Sequence, residues 1–247
     1  MVLAWILGAT LLVSLVSFTG IFILSLKHRM VETVLFAMVA FAAGTLLGAA
    51  FLDLLPEASE LIEPATVLQI ALVGIVVFFL IEKIIHWHHY HYGSHWLREK
   101  PLAYLNLIGD GIHNFFDGAA IAASFLIAPE LGITTTLVVL LHEIPQEVGD
   151  FSLLLYSGFS RAKALLFNFL SGLLAVIGAL GFYYFSSAIE NLEAIGLAFT
   201  GGMFIYIAAA DLFPEFQKEK GMNKSLLQFF LLALGILMIG FIAIYLE

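Results

Sequence analysis

The chain has no cysteine, few prolines and little charge of either sign. Without thiols it can form no disulfide and offers no thiolate to a metal, and its six methionines are scattered, which argues against a carrier of soft Cu(I). Charged residues make up 12% of the sequence, about half the share in soluble domains. With 62% hydrophobic residues and a mean hydropathy of +1.03, the composition predicts an all-α, polytopic membrane protein. No basic surface run points to nucleic acid, and the partner this composition requires is the lipid bilayer.

A helix crosses the hydrocarbon with about 20 apolar residues. Eight stretches qualify: Val2 to Leu26, Thr33 to Leu55, Ala65 to Ile81, Leu102 to Ile127, Gly132 to Ser157, Ala164 to Ser187, Ile195 to Phe213 and Ser225 to Leu246. They leave no room for a soluble domain, so residues 1–247 read as one transmembrane unit. The first stretch is too long for a signal-peptide core and has no basic residue ahead of it, so it reads as a retained helix.

All ten basic residues fall in alternate connections: Lys27 and Arg29; Lys83, Arg98 and Lys100; Arg161 and Lys163; Lys218, Lys220 and Lys224. The opposite connections carry Glu57, Glu60, Glu63, Glu130, Glu190 and Glu193 and no Lys or Arg. By the positive-inside rule both termini are expected outside, and the expected location is a prokaryotic plasma (inner) membrane.

Against this background two polar stripes stand out. Asp110, His113, Asn114 and Asp117 in the fourth stretch sit at i, i+3, i+4 and i+7, on one helical face, and His142, Glu143, Gln146, Glu147 and Asp150 occupy a narrow sector of the fifth. An ionisable group at the bilayer centre costs roughly 2.5 to 3.5 kcal/mol, so these five carboxylates together cost on the order of 12 to 17 kcal/mol. No Lys or Arg inside any stretch offsets them. The counter-charge must be mobile: metal, protons or cavity water.

Imidazole, carboxylate and amide oxygen without thiolate suit a divalent cation such as Zn, Fe(II), Mn, Co or Cd. Pro145 removes a backbone donor and crowds the Leu141 carbonyl, predicting a kink among the ligands. A purely structural polar network between two buried helices would explain one Asn and one His, not five carboxylates. His142-Glu143 also opens like H-E-x-x-H, but position 146 is Gln and 145 is Pro, so an intramembrane metalloprotease is the minor alternative. With no nucleophile elbow and no phosphate loop, no enzyme and no catalytic cofactor is expected.

The second and seventh stretches end alike, in Asp53-Leu54-Leu55-Pro56-Glu57 and Asp211-Leu212-Phe213-Pro214-Glu215, each after a run of small residues. Alternating topology puts the two copies at opposite surfaces. The pattern predicts a 3+2+3 inverted repeat around a midplane site. Asp53 and Glu57 then mark an outer mouth and Asp211 and Glu215 an inner one, where acidic groups concentrate cations. Asp110 and Asp150 are expected as relay groups on the inner side, and Asn168 as part of a polar shell.

His113-Asn114-Phe115-Phe116-Asp117-Gly118 and His142-Glu143-Ile144-Pro145-Gln146-Glu147-Val148-Gly149-Asp150 resemble the fourth- and fifth-helix signatures of the ZIP (Zrt-, Irt-like) metal transporters, in particular the branch reading HExPHExGD. The resemblance implies a divalent-metal importer with a binuclear site, zinc as the leading cargo and iron or manganese next, and it admits a homodimer. A proton-coupled exporter or exchanger is the alternative within transport. By motif position, His113, Asp117, His142 and residue 146 line the primary site, Asn114 and Glu143 belong to the second, Asp117 can bridge, and Glu147 joins the ligand set. The chain departs from the pattern at Gln146, where the branch has His. A weaker amide-oxygen ligand there would shift preference from Zn toward Fe or Mn.

Five of the eight histidines, His86, His88, His89, His91 and His95, lie in the inner connection 86–100, expected as a loop that captures or senses metal and is dispensable for transport.

Overall fold

The computed structural model describes residues 1–20, 28–92 and 100–246. They form α1 (Val2–Leu15), α2 (His28–Ala49), α3 (Leu55–Leu61), α4 (Pro64–Tyr92), α5 (Lys100–Ile127), α6 (Pro129–Tyr156), α7 (Arg161–Gly172), α8 (Leu174–Ser186), α9 (Leu192–Ile207), α10 (Phe213–Gln217) and α11 (Met222–Leu246). No strand occurs among the described residues. The protein is an all-α, polytopic membrane protein. Among the described residues, six helical stretches are long and apolar enough to cross a membrane; α5 and α6, whose polar stripes lower their hydropathy, are not among those six.

The sequence explains most boundaries. Extended Ala128 followed by Pro129 separates α5 from α6, because Pro lacks the N–H that would continue a helix but fits its first turn. Ser160 caps α7, its hydroxyl accepting from the Lys163 amide. The expected loop 86–100 begins later than foreseen: α4 runs to Tyr92, since no Gly or Pro falls between Ile75 and Tyr92. The side chains of His86, His88, His89 and His91, and all of His95, lie outside the described residues.

Both D-L-x-P-E motifs fold in the same unusual way. Residues Ala50–Leu54 and Ala208–Leu212 are π-turns, each carrying the aspartate and each followed by a short helix with proline in its first turn. The closing bonds match: the residue after each turn, Leu55 or Phe213, donates its amide to Ala50 or Ala208, five residues back. Pro56 and Pro214 cannot donate to the carbonyls four residues earlier, and the i→i+5 register relieves the resulting conflict.

Glycines bring three pairs of helices into backbone contact. A Cβ at Gly118 would strike the Ala175 carbonyl oxygen and one at Gly178 that of Phe115, joining α5 to α8. The same relation joins α2 to α11 at Gly44 and Leu232, and α4 to α9 at Gly202 and Ala71. The main apolar core, including Leu46, Leu54, Ile121, Leu197 and Phe204, lies among these pairs.

Candidate metal centre

The first stripe lies on α5, with Asp110, His113, Asn114 and Asp117 all buried, and it faces buried His142, Glu143 and Glu147 on α6. His113 and His142 place their Nε2 atoms 3.1 Å apart. Asp117 Oδ2 is 3.3 Å from each of them. Glu143 Oε1 is 3.3 Å from His113 Nε2 and 3.6 Å from His142 Nε2. A tetrahedral cation bound at about 2.0–2.1 Å holds its donors roughly 3.3 Å from one another, so the measured separations suit the edges of such a polyhedron.

The ring of His142 is aimed by its own helix. Nδ1 lies 3.0 Å from the Val138 carbonyl, which can only accept, so Nδ1 carries the proton and the Nε2 lone pair faces the cluster. Phe204 meets the His142 ring edge-on and Phe78 the His113 ring, limiting their rotation. Asp117 Oδ1 and both Glu143 carboxylate oxygens are buried without a hydrogen-bond donor. Desolvated anionic oxygens in that condition are costly unless a cation meets them.

A second group adjoins the first. Asp110, Glu143 and Glu147 each place a carboxylate oxygen within 4.8 Å of the others, so Glu143 is common to both groups. Its donors are all oxygen. Asn114 Nδ2 and Gln146 Nε2 donate to Asp110 Oδ1 at 3.0 and 3.3 Å. Asn114 Oδ1 is buried beside this group with no partner.

Glu143 stands in the four-donor group, where residue 146 was expected, and Gln146 reaches Asp110 instead. Glu143 rather than Asp117 is common to the two groups. Asn168 donates to Glu147 and so borders the second one.

A cavity of about 820 Å³ leads away from the clusters, its wall including His113, Gln146, Asp110, Asp150, Asp211 and Glu215. These last residues and Gln228 lie toward the helix ends joined by the basic connections. Asn106 holds Asp150 Oδ1 at 2.8 Å on this wall. Tyr206 donates to Glu82 there, tying α9 to α4. The two D-L-x-P-E ends differ here: Asp211 is exposed, whereas Asp53 is only 2% exposed and borders no part of the cavity.

Ser17, Tyr206 and Glu82 also border the clusters and the cavity, although none of them belongs to either polar stripe. Ser17 had a visible signal: Thr10, Ser14 and Ser17 share helical spacing in an otherwise apolar first stretch, and all three are buried.

A family model described as ZIP Zinc transporter matches residues 2–101 and 88–243. Zinc transporter ZIP13 of Pongo abelii is 34% identical over 226 residues, covering 85% of this chain and 67% of that protein. Zinc transporter ZIP13 of Homo sapiens is 41% identical over 157 residues, 60% of this chain and 42% of its own length. Metal cation symporter ZIP14 of Bos taurus is 40% identical over 153 residues, 58% of this chain and 31% of the relative. Against the human and bovine relatives the match thus covers less than half of their length. All three come from animals, which gives the expected prokaryotic membrane no support.

Proposed function

The chain belongs to the ZIP zinc transporter family, and from that premise we propose that it carries a divalent cation across the bilayer, zinc first, through the clusters between α5 and α6. The observation that carries the reading is the four-donor group of His113, Asp117, His142 and Glu143, whose separations of 3.1 to 3.6 Å suit a small tetrahedral ion. Two imidazoles and two carboxylates are a borderline donor set, better matched to Zn than to Fe(II) or Mn, with Co and Cd as close chemical substitutes. The neighbouring Asp110, Glu143 and Glu147 form the second half of a binuclear site.

Import into the cytoplasm is the direction that the family resemblance implies. The cavity joins the clusters to the side bearing the basic connections, which the positive-inside rule places in the cytoplasm, with the termini outside. Asp53 and Glu57 then belong to the outer approach, and Asp150, Asp211 and Glu215 to the exit. Metal and protons compete for the same lone pairs, so exchange against protons is compatible with the site.

The test is radiolabelled zinc uptake into proteoliposomes, with Asp117→Asn and His113→Ala as controls. Uptake by the parent chain that both changes abolish is the expected result. Uptake unaffected by either would remove the site, and peptide cleavage without uptake would favour a metalloprotease.

A further inference from the structure

The first helix brings neither carboxylate nor imidazole to the clusters, yet it reaches them. Ser17, fully buried in the 3-10 turn that follows α1, donates its hydroxyl to Glu147 Oε1 at 2.6 Å. Asn168 on α7 donates to the other oxygen, Oε2, and its Nδ2 also lies 3.2 Å from the Glu147 backbone carbonyl. Gly172 leaves the space in which these groups meet: a Cβ there would stand 2.5 Å from Ser17 Oγ and 3.4 Å from Glu147 Oε1. One turn earlier, Ser14 donates to the Gly172 carbonyl at 2.8 Å, where the break between α7 and α8 leaves that carbonyl available. The first helix is therefore fixed in height against α7, with Ser17 at the carboxylate.

The chemistry of this clamp is orientation, not neutralisation. Both donors are uncharged, so neither replaces the cation that the carboxylates lack. What they remove is rotational freedom. Glu147 is 1% exposed, and one of its oxygens lies within 4.8 Å of ligand atoms of Asp110 and Glu143. Groups that hydrogen-bond a metal-ligating carboxylate typically carry about 10- to 100-fold in metal affinity, because the ligand arrives already aimed.

We propose that Ser17 and Asn168 are positioning residues for the all-oxygen cluster, holding Glu147 toward Asp110 and Glu143 so that binding of a hard or borderline divalent cation there depends on the seating of the first helix. This rests on the reading of the two clusters as cargo sites.

Cobalt(II) titration of the full chain in detergent, followed by calorimetry and visible absorption, separates the possibilities. The parent chain should take up two equivalents. One should show the intense bands of a tetrahedral site with two nitrogen donors, and the other the weak bands of an oxygen-only site. Ser17→Ala, and Gly172→Ala, which displaces the Ser17 hydroxyl without deleting any polar group, should weaken the weak-band equivalent about 10- to 100-fold. Both should leave the intense-band equivalent in place, and Ser17→Thr, which keeps the hydroxyl, should retain both. The proposal is overturned if Ser17→Ala and Gly172→Ala leave the second equivalent unchanged, if they weaken both equivalents in parallel, or if the parent chain takes up only the tetrahedral one. A parent chain that binds no cobalt would instead overturn the cargo reading on which the proposal stands.

Discussion

His113 and His142 face each other across two consecutive helices with their Nε2 atoms 3.1 Å apart, and both rings are held by aromatic neighbours. Two neutral imidazoles gain little from such closeness alone, since one of the two nitrogens must donate. As one edge of a four-donor polyhedron, the same spacing becomes the distance a shared cation imposes. Removing either ring leaves three donors. His113→Ala and His142→Ala are each expected to lower zinc affinity by at least about 100-fold, more than the loss of a group that only hydrogen-bonds a ligand. Competition against a chromophoric chelator measures this, and a loss below tenfold in both would exclude the edge.

Gln146 offers a sharper test, because motif position and geometry disagree about it. As a ligand, its truncation should cost as much as losing a histidine. Held instead against Asp110 Oδ1 at 3.3 Å, it should matter mainly to the all-oxygen group. Gln146→Ala is therefore expected to keep zinc affinity at the tetrahedral site within about tenfold of the parent, the small loss typical of a group that touches a ligand and not the metal. Relative uptake of zinc, manganese and iron by Gln146→His then shows whether an imidazole at this position moves selectivity.

The absence of cysteine makes sidedness measurable, since single-cysteine variants carry no background. Leu35→Cys and Leu212→Cys, on the cavity wall, should react with a membrane-impermeant maleimide. Ala58→Cys, fully buried beyond Asp53, should not. Equal labelling at all three positions would contradict a cavity open at one end.

The close helix pairs predict a stability contrast. Gly118→Ala would drive a Cβ into the Ala175 carbonyl oxygen, a backbone atom that cannot swing aside. Overpacking of that kind costs about 1–3 kcal/mol. Gly8→Ala meets nothing within 4 Å and should be neutral or stabilising by up to about 1 kcal/mol. Thermal unfolding in detergent compares the two directly.

Much of this was legible from residue order. The polar stripes followed from helical spacing, and the repeated Asp-Leu-x-Pro-Glu endings marked two places that fold alike. The π-turns were implicit in the prolines, although period alone reads straight through them. Glu143 and Gln146 lie in one sector of the same helix, so spacing could not decide which reaches His113. That choice rests on side-chain torsions and on Asp110 as a competing partner for the amide. Ser17 was hidden for another reason: its partner lies 130 residues away, and a hydroxyl in an apolar helix ordinarily satisfies itself on its own backbone.

Where a glycine lets one helix rest on the carbonyls of another, sliding by a single residue would set a side chain against a main-chain oxygen. The pairs α5 with α8, α2 with α11 and α4 with α9 are locked in this sense. Any movement that exchanges access from one membrane face to the other must leave those three pairs whole. Slip would then be left to surfaces where side chain meets side chain, and the parts expected to travel are couples of helices, not single ones.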